Sequence, residues 1–213
     1  DYFGAMDNKA IALTKLNRFD EAITWMENGL EVKNLPPDDP RTGSYLYNLG
    51  YAYASKNDFQ KAIELNDKCI ELMFPFKEEY GVPLQTAYYT GATYFYDLGE
   101  PDKALDYVEK CYQFGEDLGI YMLHGNILLA KKDYHDALKY VQKSVIILSS
   151  DFADEDVFQN PGKNETYSDN LWAGQALANK AAVFLNMGIE EKSNTYLNEA
   201  LKISELAILV FSN

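Results

Sequence analysis

The chain of 213 residues carries 19 Lys and Arg against 33 Asp and Glu, a formal net charge of −14, and 47% of it is apolar, enough for a substantial core. At that charge a nucleic acid meets like-sign repulsion instead of counterion release, so no nucleic-acid partner is expected. No run of 18 apolar residues and no charged segment leading into an apolar stretch occurs, so neither a membrane span nor a signal peptide is expected. Cys69 and Cys111 cannot build a disulfide framework, which points to a reducing, cytoplasmic setting. Because the chain opens on Asp1 and not on Met, it is read as a fragment of a longer polypeptide.

A recurring line organises the chain. Asn-Arg-Phe-Asp-Glu-Ala-Ile at 17–23 returns as Asn-Asp-Phe-Gln-Lys-Ala-Ile at 57–63, Gly-Glu-Pro-Asp-Lys-Ala-Leu at 99–105 and Lys-Asp-Tyr-His-Asp-Ala-Leu at 132–138. A degraded copy is read at 188–194, which takes the central small residue from Ala22 through Ala62, Ala104 and Ala137 to Ser193. Upstream of each copy, apolar residues fall at helical spacing, as in Leu46, Leu49, Gly50 and Tyr53. Downstream they do so again, as in Phe59, Ala62, Ile63, Leu65, Cys69 and Ile70, so each copy is a turn between two helices. Asn, Gly or Lys followed by Asp suits a helix C-cap running into an N-cap, and Pro101 sits where a helix starts, where its missing N–H costs nothing.

In chain order the predicted helix pairs occupy 3–33, 43–74, 84–115, 118–148 and 169–211 of a single domain over 1–213. Leu-Pro-Pro-Asp-Asp-Pro at 35–40, Gly-Val-Pro at 81–83 and a polar insertion at 149–168 separate them. A single pair cannot bury its own apolar face, so the pairs are expected to stack around a continuous core.

The second copy, with Leu46, Leu49, Gly50, Tyr53, Ala62 and Pro75, resembles the tetratricopeptide repeat, whose pattern runs Trp-x2-Leu-Gly-x2-Tyr, then Ala-x3-Phe, then Pro. Partial matches follow in the third copy (Tyr88, Gly91, Ala92, Phe95, Ala104) and the fourth (Tyr121, Gly125, Leu128, Ala137). The first keeps Leu13, Phe19 and Ala22, and the fifth keeps Leu177, Ala181, Phe184, Ser193 and Ala200. The long spacings are similar to those of the extended varieties found in signalling regulators and motor light chains. The resemblance implies an all-α fold, a right-handed α-solenoid superhelix of about five repeats, with a concave wall of first helices that binds a peptide or partner protein.

On that reading the wall is formed by first-helix positions outside the packing motif: Tyr47, Asn48 and Tyr51, then Tyr89, Thr93 and Tyr96, then Met122 and Asn126. These are aromatic and polar with little charge, and tyrosine offers contact area plus a hydroxyl at low entropic cost. The family's grip on chaperone tails needs basic residues on first helices. Here Lys9 and Lys15 stand alone, and Arg18 and Arg41 lie in turns, so no chaperone-tail binding is expected. The net charge favours a partner carrying Lys or Arg.

Catalytic groups are sparse, so no enzyme activity, cofactor or metal is expected. His124 falls at a packing position and His135 at a turn, while Cys69 and Cys111 share a small-residue site with Gly29 and Ala200. Asp151, Asp154, Glu155 and Asp156 lack the alternation and glycine of a calcium loop, and Asn164-Glu165-Thr166 is read as an accident of composition. Leu201, Ile203, Leu206, Ala207, Leu209, Val210 and Phe211 form an apolar terminal surface that a further domain or a second copy is expected to cover. The layout also bears a likeness to the amino-terminal halves of bacterial regulators and of caspase-like peptidases fused to such arrays. The alternative function is therefore a sensing segment of a larger enzyme.

Overall fold

The computed structural model describes residues 2–32 and 39–212, and within 2–7 and 31–32 the backbone alone. The connector read at 35–40 therefore lies outside the described residues, except for Asp39 and Pro40. The described residues are helical apart from short turns and the irregular insertion at 149–168, which carries one isolated antiparallel bridge between Ser149 and Tyr167. The chain divides into two compact units, Asp1–Gly115 and Glu116–Asn213.

The first unit holds α1 (Tyr2–Lys15), α2 (Phe19–Val32), α3 (Pro40–Ala54), α4 (Phe59–Met73), α5 (Lys77–Asp97) and α6 (Pro101–Cys111), paired in that order, with α2 also packed on α3 and α4 on α5. Its core joins Ala10 and Leu13 to Ala22 and Met26, Tyr45 and Leu49, and Cys69, Met73 and Ala87. The second unit holds α7 (Leu118–Ala130), α8 (Tyr134–Leu148), α9 (Asn170–Glu190) and α10 (Asn194–Phe211), with α8 packed on α9.

The turns inside the pairs share one geometry. Asn17, Asn57, Gly99, Lys132 and Lys192 take positive φ between 53° and 72°. The next residue in each donates its N–H to the carbonyl five residues back, for example Asp58 to Tyr53 and Ser193 to Gly188, both at 3.0 Å. This is the hydrogen bond that closes a left-handed helix cap. The geometry corrects the register of the fifth copy. Its turn centres on Lys192 and not on Gly188, so Leu197, not Ser193, stands where Ala22, Ala62, Ala104 and Ala137 stand. Gly188 lies inside α9, and a Cβ there would come within 2.7 Å of Leu197 Cδ2. It is a close-approach glycine, and Ser193 is the N-cap, accepting from the Tyr196 N–H.

A second correction concerns α5, which begins seven residues before the expected 84. Pro83 does not end the helix. Tyr80 takes φ −104° and ψ 22°, a kink that puts Pro83 within the first turn of the following segment, where a proline is tolerated.

The insertion at 149–168 is packed and not merely solvated. Ser150 N–H bonds Thr166 O at 3.0 Å, and Ser168 N–H bonds Leu148 O at 2.9 Å. The fully buried Gln142 donates to Asp154 O at 2.6 Å and Asp156 O at 3.1 Å. The equally buried Lys180 ammonium donates to Gln159 O at 2.7 Å and Asn160 Oδ1 at 2.8 Å. Phe158 packs its ring against Phe184 and Tyr196.

Candidate peptide-binding groove

In the first unit the first helices α1, α3 and α5 bring part of the predicted wall together. Tyr47, Asn48 and Tyr51 of α3 meet Ile11, Thr14 and Lys15 of α1 and Met26 of α2 around a concavity of about 320 Å³. Tyr51 is 45% exposed. Tyr47 is half-buried because its hydroxyl is hydrogen-bonded to Thr90 Oγ1 of α5 at 3.2 Å, so it links two first helices as well as lining the wall. On α5, Tyr89 is exposed and Tyr96 half-buried, while Thr93 turns its hydroxyl onto the Tyr89 carbonyl at 3.0 Å.

In the second unit Asn126 is half-buried, but Met122 is only 8% exposed and belongs to the interior, not to a wall. The reason is that α7 has no polar side: Ile120 through Gly125 are all buried, so motif spacing cannot separate wall from core there.

One buried tyrosine of α5 was not picked out in sequence. Tyr94 is 6% exposed, and its buried hydroxyl has no hydrogen-bond partner among the described residues. Burial, with the Tyr47 and Tyr51 hydroxyls adding to it, pushes the Tyr94 phenol well above its ordinary range, so it stays a neutral donor. An unmet buried hydroxyl costs about 1–3 kcal/mol. The residues flanking Tyr94 include so many tyrosines that nothing in their order marks it.

The other chemistry-bearing side chains lie elsewhere. Cys69 is buried, and desolvation raises its thiol to about 12, the reverse of an activated nucleophile. His124 is buried, stacks on Tyr140 with ring centroids 3.7 Å apart, and is held down to about 4, chiefly by desolvation. His135 is exposed. Among the described residues no group of His, Cys, Asp and Glu is placed to hold a metal ion, and no helix is long and apolar enough to cross a membrane.

Helical hairpins closed by left-handed caps, with α2 packed on α3, α4 on α5 and α8 on α9, define an α-helical repeat protein. Residues 2–73 match the sequence model of the tetratricopeptide repeat. No curated protein matches the chain in sequence. Among solved structures it is similar to the TPR-like repeats of a protein from Podosopora anserina assigned as a kinesin light chain, with TM-score 0.70, 13% identity, and 95% of this chain and 94% of that one covered. It is also similar to MamA from Desulfovibrio magneticus RS-1, with TM-score 0.65, 17% identity, and 97% and 95% covered. A third likeness is to YrrB, described as a TPR protein with an unusual peptide-binding site, with TM-score 0.60, 18% identity, and 97% and 89% covered.

Proposed function

We propose that this tetratricopeptide-repeat chain is a non-catalytic interaction module that holds a peptide or a segment of a partner protein against the first-helix wall of its amino-terminal unit. The family generally mediates protein–protein interaction, and one structural neighbour carries a peptide-binding site. The observation that carries the reading is the concavity that Tyr47, Asn48 and Tyr51 of α3 line together with Ile11, Thr14 and Lys15 of α1. Neutral donors and aromatic faces suit an extended backbone, whose carbonyls need partners when they leave water. At longer range the net charge of −14 draws a ligand bearing Lys or Arg, and the setting we propose is cytoplasmic.

Peptides selected from a random display library on the folded chain provide the test. Tyr51→Ala is expected to weaken their binding at least about tenfold with an unchanged helical circular dichroism spectrum, a loss of the size that an interface aromatic commonly carries. Tyr94→Phe removes only a buried, unmet hydroxyl, so it leaves the fold at least as stable. Selected peptides that bind wild type and Tyr51→Ala equally place the site elsewhere.

A further inference from the structure

Within the first unit, α4, the Phe-Pro-Phe turn that follows it, α5 and α6 border a second concavity, of about 360 Å³, which shares no residue with the one between α1 and α3. Its lining differs in kind. The carboxylates of Asp67 and Glu71 stand against the rings of Phe74, Tyr88 and Tyr107, and Lys110 completes the wall. Asp67 and Glu71 are four residues apart on α4 and so share one face of that helix. Both are exposed, as is Phe74.

The rings are fixed before any ligand arrives. Tyr107 packs on Gly91 of α5, where a Cβ would come within 2.6 Å of Tyr107 Cδ1, and it meets Tyr88 edge-on with centroids 6.0 Å apart. Its hydroxyl donates to Asp67 Oδ1, which leaves Oδ2 of that carboxylate for another donor. The chain's own Lys110 shows what these faces attract: its ammonium lies over the Tyr107 ring at 5.2 Å and the Tyr88 ring at 6.0 Å. Its ion pair, however, is with Asp106 at 2.6 Å. Among the described residues, then, no basic side chain forms an ion pair with Asp67 or Glu71.

We propose that this pocket binds an arginine side chain of a partner polypeptide, its guanidinium laid on the Tyr107 and Tyr88 rings and hydrogen-bonded to Asp67 and Glu71. The chemistry of the lining chooses the occupant. A guanidinium is flat, weakly hydrated and carries a fork of N–H donors, so it uses ring faces and carboxylates at once. A quaternary ammonium would stack but has no N–H for the two carboxylates, and a lysine ammonium is more strongly hydrated and cannot lie flat on a ring. An anionic side chain would face Asp67 and Glu71 across a pocket whose one lysine is already paired. The site takes a single side chain and does not depend on a ligand in the α1–α3 concavity.

The probe is the peptide acetyl-Gly-Ala-Arg-Ala-Gly-amide, titrated into the isotope-labelled whole chain and followed by backbone amide NMR shifts. Saturable shifts around Asp67, Glu71, Tyr107 and Lys110 are expected, with a dissociation constant on the order of 1 mM, fitting for one side chain. Asp67→Asn with Glu71→Gln should weaken binding at least about fivefold. The variant keeps its fold, checked by circular dichroism, because an amide oxygen still accepts from Tyr107 and Glu71 is exposed. Peptides with lysine or trimethyllysine in place of arginine should bind at least about threefold more weakly. Lys110→Gln should bind the arginine peptide no more weakly, since it removes a competing cation, and Tyr51→Ala should leave binding unchanged, which separates this pocket from the first-helix wall. Absence of saturable shifts at these residues up to about 20 mM peptide overturns the proposal. So does equal binding of the three cationic peptides, or binding that survives the double variant, because the attraction is then only that of a chain of net charge −14. Weakening by Lys110→Gln overturns it as well, since the pocket would then serve an anion.

Discussion

Lys180 is the one fully buried charged side chain among the described residues, standing where Tyr45, Ala87 and Ile120 stand in other copies. Desolvation lowers its ammonium to about 7, against the partial support of Asp156, Glu199 and Asp154. The unfolded chain keeps the ordinary value near 10.5, so between pH 7 and 10.5 the unfolded state binds more protons and stability rises with pH. The gain disappears as pH falls through that window toward 7. From pH 7 to pH 9 the urea-unfolding free energy is expected to rise by about 2 kcal/mol, and in Lys180→Met by clearly less; equal slopes would mean that the amine is better solvated than its burial indicates. The same substitution frees Gln159 O and Asn160 Oδ1, so the insertion should become more open to proteolysis near residues 151–160. The lysine's helical spacing is ordinary, and nothing adjacent in sequence shows that a loop twenty residues upstream supplies its partners.

At the level of the hairpin, the two helices approach through small residues. A Cβ on Gly125 would come within 2.7 Å of Val141 Cγ1, and Gly125 was readable as a motif position. The fifth hairpin replaces both small sites with Leu185 and Leu197 and moves its close approach to Gly188. Gly188→Val is therefore expected to lower the denaturant midpoint by an amount equivalent to about 1–3 kcal/mol, the usual cost of overpacking. Gly162→Ala, with nothing within 4 Å, should leave it unchanged. A Gly188→Val chain as stable as wild type would mean that Leu197 gives way and the two helices are not held at this contact. The Gly-Ile-Glu-Glu string at 188–191 misled because a glycine before acidic residues reads as a cap, and only backbone φ separates a cap glycine from a contact glycine.

For the whole molecule, an excess of 14 negative charges sets carboxylates against one another, while the ion pairs are short-range and exposed, such as Arg18 with Glu21 and Lys61 with Glu64. Such pairs contribute little each, and salt screens the long-range repulsion more than it weakens them. Raising NaCl from about 20 mM to 0.5 M should raise the melting temperature by a few degrees, and a fall would mean that the pairs outweigh the repulsion. The number of hairpins, their helical spacing and the tetratricopeptide character were legible in the sequence, because apolar periodicity and turn chemistry act within a few neighbouring residues. That Tyr47, Asn48 and Tyr51 share one face of α3 was legible for the same reason, and they line one concavity. Tertiary structure alone decided that Met122 is interior, that Tyr94 carries an unmet hydroxyl, that Lys180 anchors the insertion and that Ile203, Ala207 and Val210 of the expected terminal surface are buried. Burial and hydrogen-bond satisfaction depend on which distant segments close over a residue, and no local pattern in the chain encodes that.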